Sequence, residues 1–160
     1  MATTESITLE QIKPGQDLPD LSMDIDVTNV VLGALASRDW RPMHHDKDFA
    51  VDRNGTRHIF VNTPHNAAYF EKYITDWTGP KGRLGRIKFR MKDSVFPGDT
   101  MVFRGSVEEV RTDEQGCGWA DVKIDLLVGD AVTTSCTASV AIPTSSDDNP
   151  WKRTGNDWQP

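Results

Sequence analysis

Cysteine is scarce in this 160-residue chain, which excludes a fold held together by a disulfide framework. The two that occur, Cys117 and Cys136, both fall in stretches that read as strands. They lack the paired spacing of a metal site. One disulfide between them is open on sequence grounds, but free thiols of a cytoplasmic protein are the simpler reading. Positive charge is also short: 18 Lys and Arg face 24 Asp and Glu, for a net charge of −6 and a pI near 5.1. Such a surface repels nucleic acid and anionic lipid, so neither is expected as a partner. No apolar run approaches the roughly 20 residues of a membrane span. The opening MATTESITLEQIKPG has no basic stretch followed by an apolar one, so no secretory leader is expected. No internal repeat or low-complexity tract is present.

What remains is an ordinary globular composition, 37% hydrophobic and 26% charged. The length suits one domain with a sizeable core. Residues 1–20 are polar, carry Pro14, Gly15 and Pro19, and read as an arm on the surface. Residues 21–142 form the domain, and 143–160 a polar tail of turn-like composition. Trp151 and Trp158 are out of place on a solvated tail and predict that it docks somewhere.

The domain has two unlike halves. Val27, Val30, Val31, Ala34 and Leu35 recur at helical spacing over 27–38. A second helix is predicted at about 64–78, with Thr63 as its N-cap and Pro64 in its first position. Phe70, Tyr73, Ile74 and Trp77 make its apolar stripe, and Gly79-Pro80 stops it. After Pro80 the period falls from 3.6 to 2. Strands are predicted at 85–92, 100–110, 118–128 and 131–142, joined by hairpin-like connections at 97–99, 112–116 and 129–130. The expected architecture is α+β, an antiparallel meander wrapped round a long helix.

Most groups able to do chemistry lie at 38–48, RDWRPMHHDKD. Pro42 prevents a regular helix through this segment, so it is a shaped loop. It carries Asp39 and His44 five residues apart. A carboxylate and an imidazole brought together can hold one water and move its protons, and histidine titrates near neutrality. On composition alone a solvated loop explains the same residues.

Asp39-Trp40-Arg41-Pro42-Met43-His44, followed five residues later by Ala50, resembles the hydratase-2 motif of the MaoC-like family. That motif reads Asp-x-Asn-Pro-x-His, five residues, then Ala or Ser; Arg41 stands in place of the asparagine. Val95-Phe96-Pro97-Gly98-Asp99-Thr100 resembles a second family motif, and the likeness spans about residues 25–142. The segments ALASRDW, HHDKDFAV, IFVN and YITDWTGP are further similar to the small subunits of actinobacterial cholesterol side-chain hydratases.

The resemblance implies a hot-dog fold and an enoyl-CoA hydratase or dehydratase, with Asp39 and His44 as its acid–base pair and an (R)-3-hydroxyacyl-CoA as product. A steroid side-chain enoyl-CoA is the implied substrate. The implied partner is a second copy or a related MaoC-like subunit. Where the family has His-Gly at the start of its helix, this chain has Val61-Asn62. The oxyanion donor is therefore expected to be the amide of Asn62 or Thr63, helped by the helix N-terminus. No metal and no separate cofactor are expected, coenzyme A being part of the substrate. Its phosphates need cations, and the densest basic run is Lys81, Arg83, Arg86, Lys88 and Arg90. His45 is expected to point away from the pair, and His58 and His65 to bond locally. Two other readings stay open: a hot-dog thioesterase using Glu71 or Asp76, and a non-catalytic subunit in which Asp39 and His44 are structural.

Overall fold

The computed structural model describes residues 5–160. Helix α1 (Val27–Ala36) starts where Asp26 and Asn29 cap each other, each side chain accepting from the other's backbone N–H. A single 3-10 turn (Pro42–His44) and a short helix α2 (Lys47–Asp52) follow. The long helix α3 (Thr63–Thr78) comes next. Its N-cap is Asn62 rather than Thr63, because Asn62 Oδ1 accepts the His65 N–H at 3.1 Å. Thr63 is thus the first helical residue and Pro64 the second, where a missing N–H costs nothing.

Five antiparallel strands make one sheet: β1 (Leu21–Asp24), β2 (Arg83–Met91), β3 (Thr100–Thr112), β4 (Gly118–Val128) and β5 (Ala131–Ile142). Their order is β1-β3-β4-β5-β2. This corrects the expected meander in two ways. β2 leaves its sequence neighbour β3 and pairs with β5, and the short β1, which no alternation announced, adds to β3. The connection through Pro97-Gly98-Asp99 is therefore a crossover rather than a hairpin. From β2 to β3 it must pass two strands, about 14 Å at ~4.8 Å per strand. Its backbone is tied down on the way, Val61 N–H to the Val95 carbonyl and Gly98 N–H to the Ile25 carbonyl.

The sheet curls over α3. Phe70, Tyr73 and Ile74 are buried against Met101, Phe103, Val107, Val122, Ile124, Leu126, Cys136, Ala138 and Val140. Phe103 stands edge-on to Phe70 at 5.1 Å. The segment before β1 is part of this core: Ile12 is 7% exposed and Leu18 3%. The tail docks on the sheet's outer face, Trp158 packing at 5.2 Å on the buried Trp119. Cys117 and Cys136 are free and buried. Among the described residues no helix is long and apolar enough to cross a membrane.

Candidate active site

Helix α1 ends in a backbone geometry that aims Asp39. Arg38 takes the left-handed conformation, φ 55°. The Arg38 N–H then donates to the Leu35 carbonyl at 3.1 Å, and the Asp39 N–H to the Ala34 carbonyl at 2.9 Å. These two bonds form a Schellman closure, with arginine where glycine is usual. Asp39 is fixed as the first residue beyond it.

His44 is placed from the other side. Pro42 opens the 3-10 turn, His44 ends it, and the ring is 4% exposed. Its Nδ1 lies 2.8 Å from the Phe60 carbonyl oxygen. A carbonyl only accepts, so Nδ1 carries the proton and neutral His44 keeps a free lone pair on Nε2. That Nε2 is 3.5 Å from Asp39 Oδ2. The gap is too long for a good direct hydrogen bond and fits a water bonded to both atoms at ~2.8 Å. Ala50, the last position of the motif, is fully buried.

Asp39 is held on both oxygens. Asn62 Nδ2 donates to Oδ2 at 3.1 Å and the Arg41 N–H approaches Oδ1 at 3.4 Å. Burial acts to raise the Asp39 pKa, but the Asn62 amide, the Arg41 N–H and the nearby His44 and Arg41 together hold it below the usual carboxylate value. The group is ionised across the neutral range.

The start of α3 faces the same place. Pro64 has no N–H, and the N–H of His65 is taken by Asn62. This leaves the Asn62 and Thr63 backbone amides without an acceptor among the described residues, on the positive end of the helix dipole. A groove of about 430 Å³ opens beside it, lined by Leu32, Gly33, Ala36, Ser37, Pro64 and His65 among others. Trp40, 65% exposed, and Leu32, 57% exposed, leave apolar surface beside the site uncovered.

The structure thus brings together Asp39, His44, Asn62 and Thr63. It separates them from most of the basic run. Met91, at one end of β2, touches Thr63 Oγ1 through its sulfur at 3.6 Å. Arg83, at the other end, lies roughly 26 Å away along the strand at ~3.3 Å per residue. Arg83 donates to the Pro150 and Arg153 carbonyls, with its guanidinium 3.5 Å from the Trp158 ring centre. Arg86 donates to the Pro160 carbonyl and Lys81 to that of Ser146. These three hold the tail. Lys88 and Arg90 stay exposed on the outer face, nearer the Met91 end.

His45 is exposed. His58 and His65 bond locally through their backbones, the His58 carbonyl accepting from Thr56 Oγ1 and the His65 N–H donating to Asn62 Oδ1, while their Nδ1 atoms have no partner among the described residues. Glu71 is exposed, and Asp76, near the far end of α3, pairs with Lys72. Among the described residues no three His, Cys, Asp or Glu side chains cluster as metal ligands. Sequence reading missed Ser37 and the Phe60 carbonyl, whose roles exist only through contacts across the fold.

Comparison with known proteins gives the family and the fold. The family model for the MaoC like domain matches residues 10–125. Over 96 residues the chain is 38% identical to the 3-oxo-4,17-pregnadiene-20-carboxyl-CoA hydratase beta subunit of Mycobacterium tuberculosis, covering 60% of this chain and 74% of that one. The fold superposes on a chain of the ChsH1-ChsH2 complex from Mycobacterium tuberculosis with a TM-score of 0.76 and 32% identity, over 81% of this chain and 98% of the other. An (R)-hydratase from A. caviae shares the hot-dog fold at a TM-score of 0.74 and 23% identity, over 84% and 99% of the two chains. Motif, fold and relatives coincide, and the chain belongs to the MaoC-like family.

Proposed function

We propose that this chain is the catalytic subunit of an enoyl-CoA hydratase, and that Asp39 and His44 together activate the water that adds to the substrate. One observation carries the reading: an ionised carboxylate and a lone-pair-bearing imidazole nitrogen lie 3.5 Å apart beside a free helix-terminal N–H. The thioester carbonyl accepts from the Asn62 or Thr63 backbone amide, which stabilises the negative charge that grows on its oxygen as the β-carbon is attacked. The pair takes one proton from the water, the oxygen bonds to the β-carbon, and the pair returns one proton to the α-carbon. Dehydration is the same path reversed. No metal or separate cofactor has a part in it.

The groove between α1 and α3 receives the acyl group. Its apolar lining, and the steroid substrate named for the relative at 38% identity, favour a steroid side-chain enoyl-CoA. Of the basic residues, Lys88 and Arg90 are left to meet the phosphates of coenzyme A. The ChsH1-ChsH2 complex and the uncovered apolar side chains of Leu32 and Trp40 support a heteromer with a related subunit. The thioesterase reading is weaker, since neither Glu71 nor Asp76 is near the Thr63 amide: Asp76 is about 20 Å along the helix at ~1.5 Å per residue.

The test is hydration of a 2-enoyl-CoA, followed by loss of enoyl thioester absorbance, by the chain alone and with its related subunit. The expected result is 3-hydroxyacyl-CoA without release of free thiol. Thiol release instead would favour the thioesterase.

A further inference from the structure

The side chain of Asn62 is engaged at each of its polar atoms, and the partners fix which way it points. It is 2% exposed and starts α3. Oδ1 accepts from the His65 N–H at 3.1 Å. Nδ2 donates to Asp39 Oδ2 at 3.1 Å and to Ser37 Oγ at 2.8 Å. Ser37 Oγ in turn donates to the Gly33 carbonyl at 2.7 Å. A backbone N–H only donates, and a carboxylate only accepts. A flipped amide would therefore set oxygen against oxygen at Asp39 and hydrogen against hydrogen at His65. The Ser37 hydroxyl has spent its proton on Gly33, so it too can only accept from Asn62.

We infer that Asn62 is a positioning residue for the Asp39–His44 pair, acting by its Nδ2 on the Asp39 carboxylate, and not an oxyanion donor through its side chain. One amide locks the end of α1, the start of α3 and the catalytic carboxylate into a single unit. The bond orients Oδ2 towards His44 Nε2 and favours the ionised form of Asp39. A neutral donor does this without placing a second cation beside His44. The inference rests on the function proposed above.

The two roles of Asn62, capping and positioning, separate by mutation. Asn62→Ser keeps a good N-cap for His65 and removes the amide donor to Asp39. The expected result is a retained fold by circular dichroism with a melting temperature lower by several degrees, because the cap is kept while the buried hydrogen bonds to Asp39 and Ser37 are lost. For Asn62→Ser, kcat should fall about tenfold or more, as expected for loss of one hydrogen bond to a charged group, with little change in KM. The acid limb of its pH–rate profile should move to higher pH, because Asp39 loses a contact that favours its charge. Unchanged kcat and an unmoved acid limb in Asn62→Ser would overturn the inference and leave Asn62 a cap only.

Carboxyl-carbon NMR titration of Asp39, in the unmutated protein and in Asn62→Ser, needs no turnover. A midpoint that rises in Asn62→Ser supports the inference, and an unmoved midpoint refutes it. This readout stands even if the assembly hydrates no enoyl-CoA, so failure of the proposed function and failure of the Asn62 contact are told apart.

Discussion

Only one tautomer of His44 leaves its Nε2 free, and the Phe60 carbonyl selects it. This is why a backbone oxygen 16 residues away matters as much as the imidazole's own identity. His44→Ala removes the lone pair and should lower hydration by about 10²–10⁴-fold, the usual worth of a positioned acid–base group. The cysteines give a second test at this scale. Burial pushes the Cys136 thiol up to about 12 and raises that of Cys117. Since the thiolate is the reactive form, neither should react with a disulfide reagent at pH 8 in the folded chain. Titration of two thiols only after denaturation is the expected result. At this scale much was legible beforehand: the spacing of Asp39, Pro42, His44 and Ala50 identified the pair. The link from Asn62 to Asp39 was not, because it spans 23 residues and exists only once α1 and α3 pack together.

Helices α1 and α3 were readable from their own apolar spacing, and Gly79 from its place before a proline. Their ends were less so. Asn62 takes the cap from Thr63, in line with the local preference for asparagine over threonine, and its amide also reaches Asp39. The closure of α1 stores strain at Arg38, whose positive φ is uncommon for a residue with a β-carbon. Arg38→Gly should therefore stabilise the protein by about 1 kcal/mol, a rise of roughly 2–4 °C in melting temperature by calorimetry. A lower melting temperature would show the closure to be unstrained. Gly79 behaves in the opposite sense. Its φ is 75° with ψ −175°, and a β-carbon there would lie 2.3 Å from the Glu5 carbonyl oxygen. Gly79→Ala should cost about 2–3 kcal/mol.

For the molecule as a whole, four of the five strands were legible, and the strand order was not. Alternation reports that a strand is half-buried but not which neighbour it pairs with, so β2 leaving β3 for β5 had no signal within its own residues. The tail shows the same limit. Trp158 announced docking, yet its seat on Trp119 and Arg83 is a contact across the fold, and it claims cations that the charge pattern had offered to coenzyme A. Trp158→Ala should expose the Trp119 ring, red-shift the tryptophan emission and lower the melting temperature by several degrees, at about 2–4 °C per kcal/mol. An unshifted spectrum and melting temperature would show that the tail does not cover Trp119.

The proposed function turns on the Asp39–His44 pair. The most direct measurement is kcat/KM for 2-enoyl-CoA hydration by the assembly carrying Asp39→Asn and His44→Ala together, with circular dichroism to confirm the fold. A loss of at least about 10³-fold with the fold intact is predicted. Hydration at the unmutated rate by that folded double variant would contradict the account.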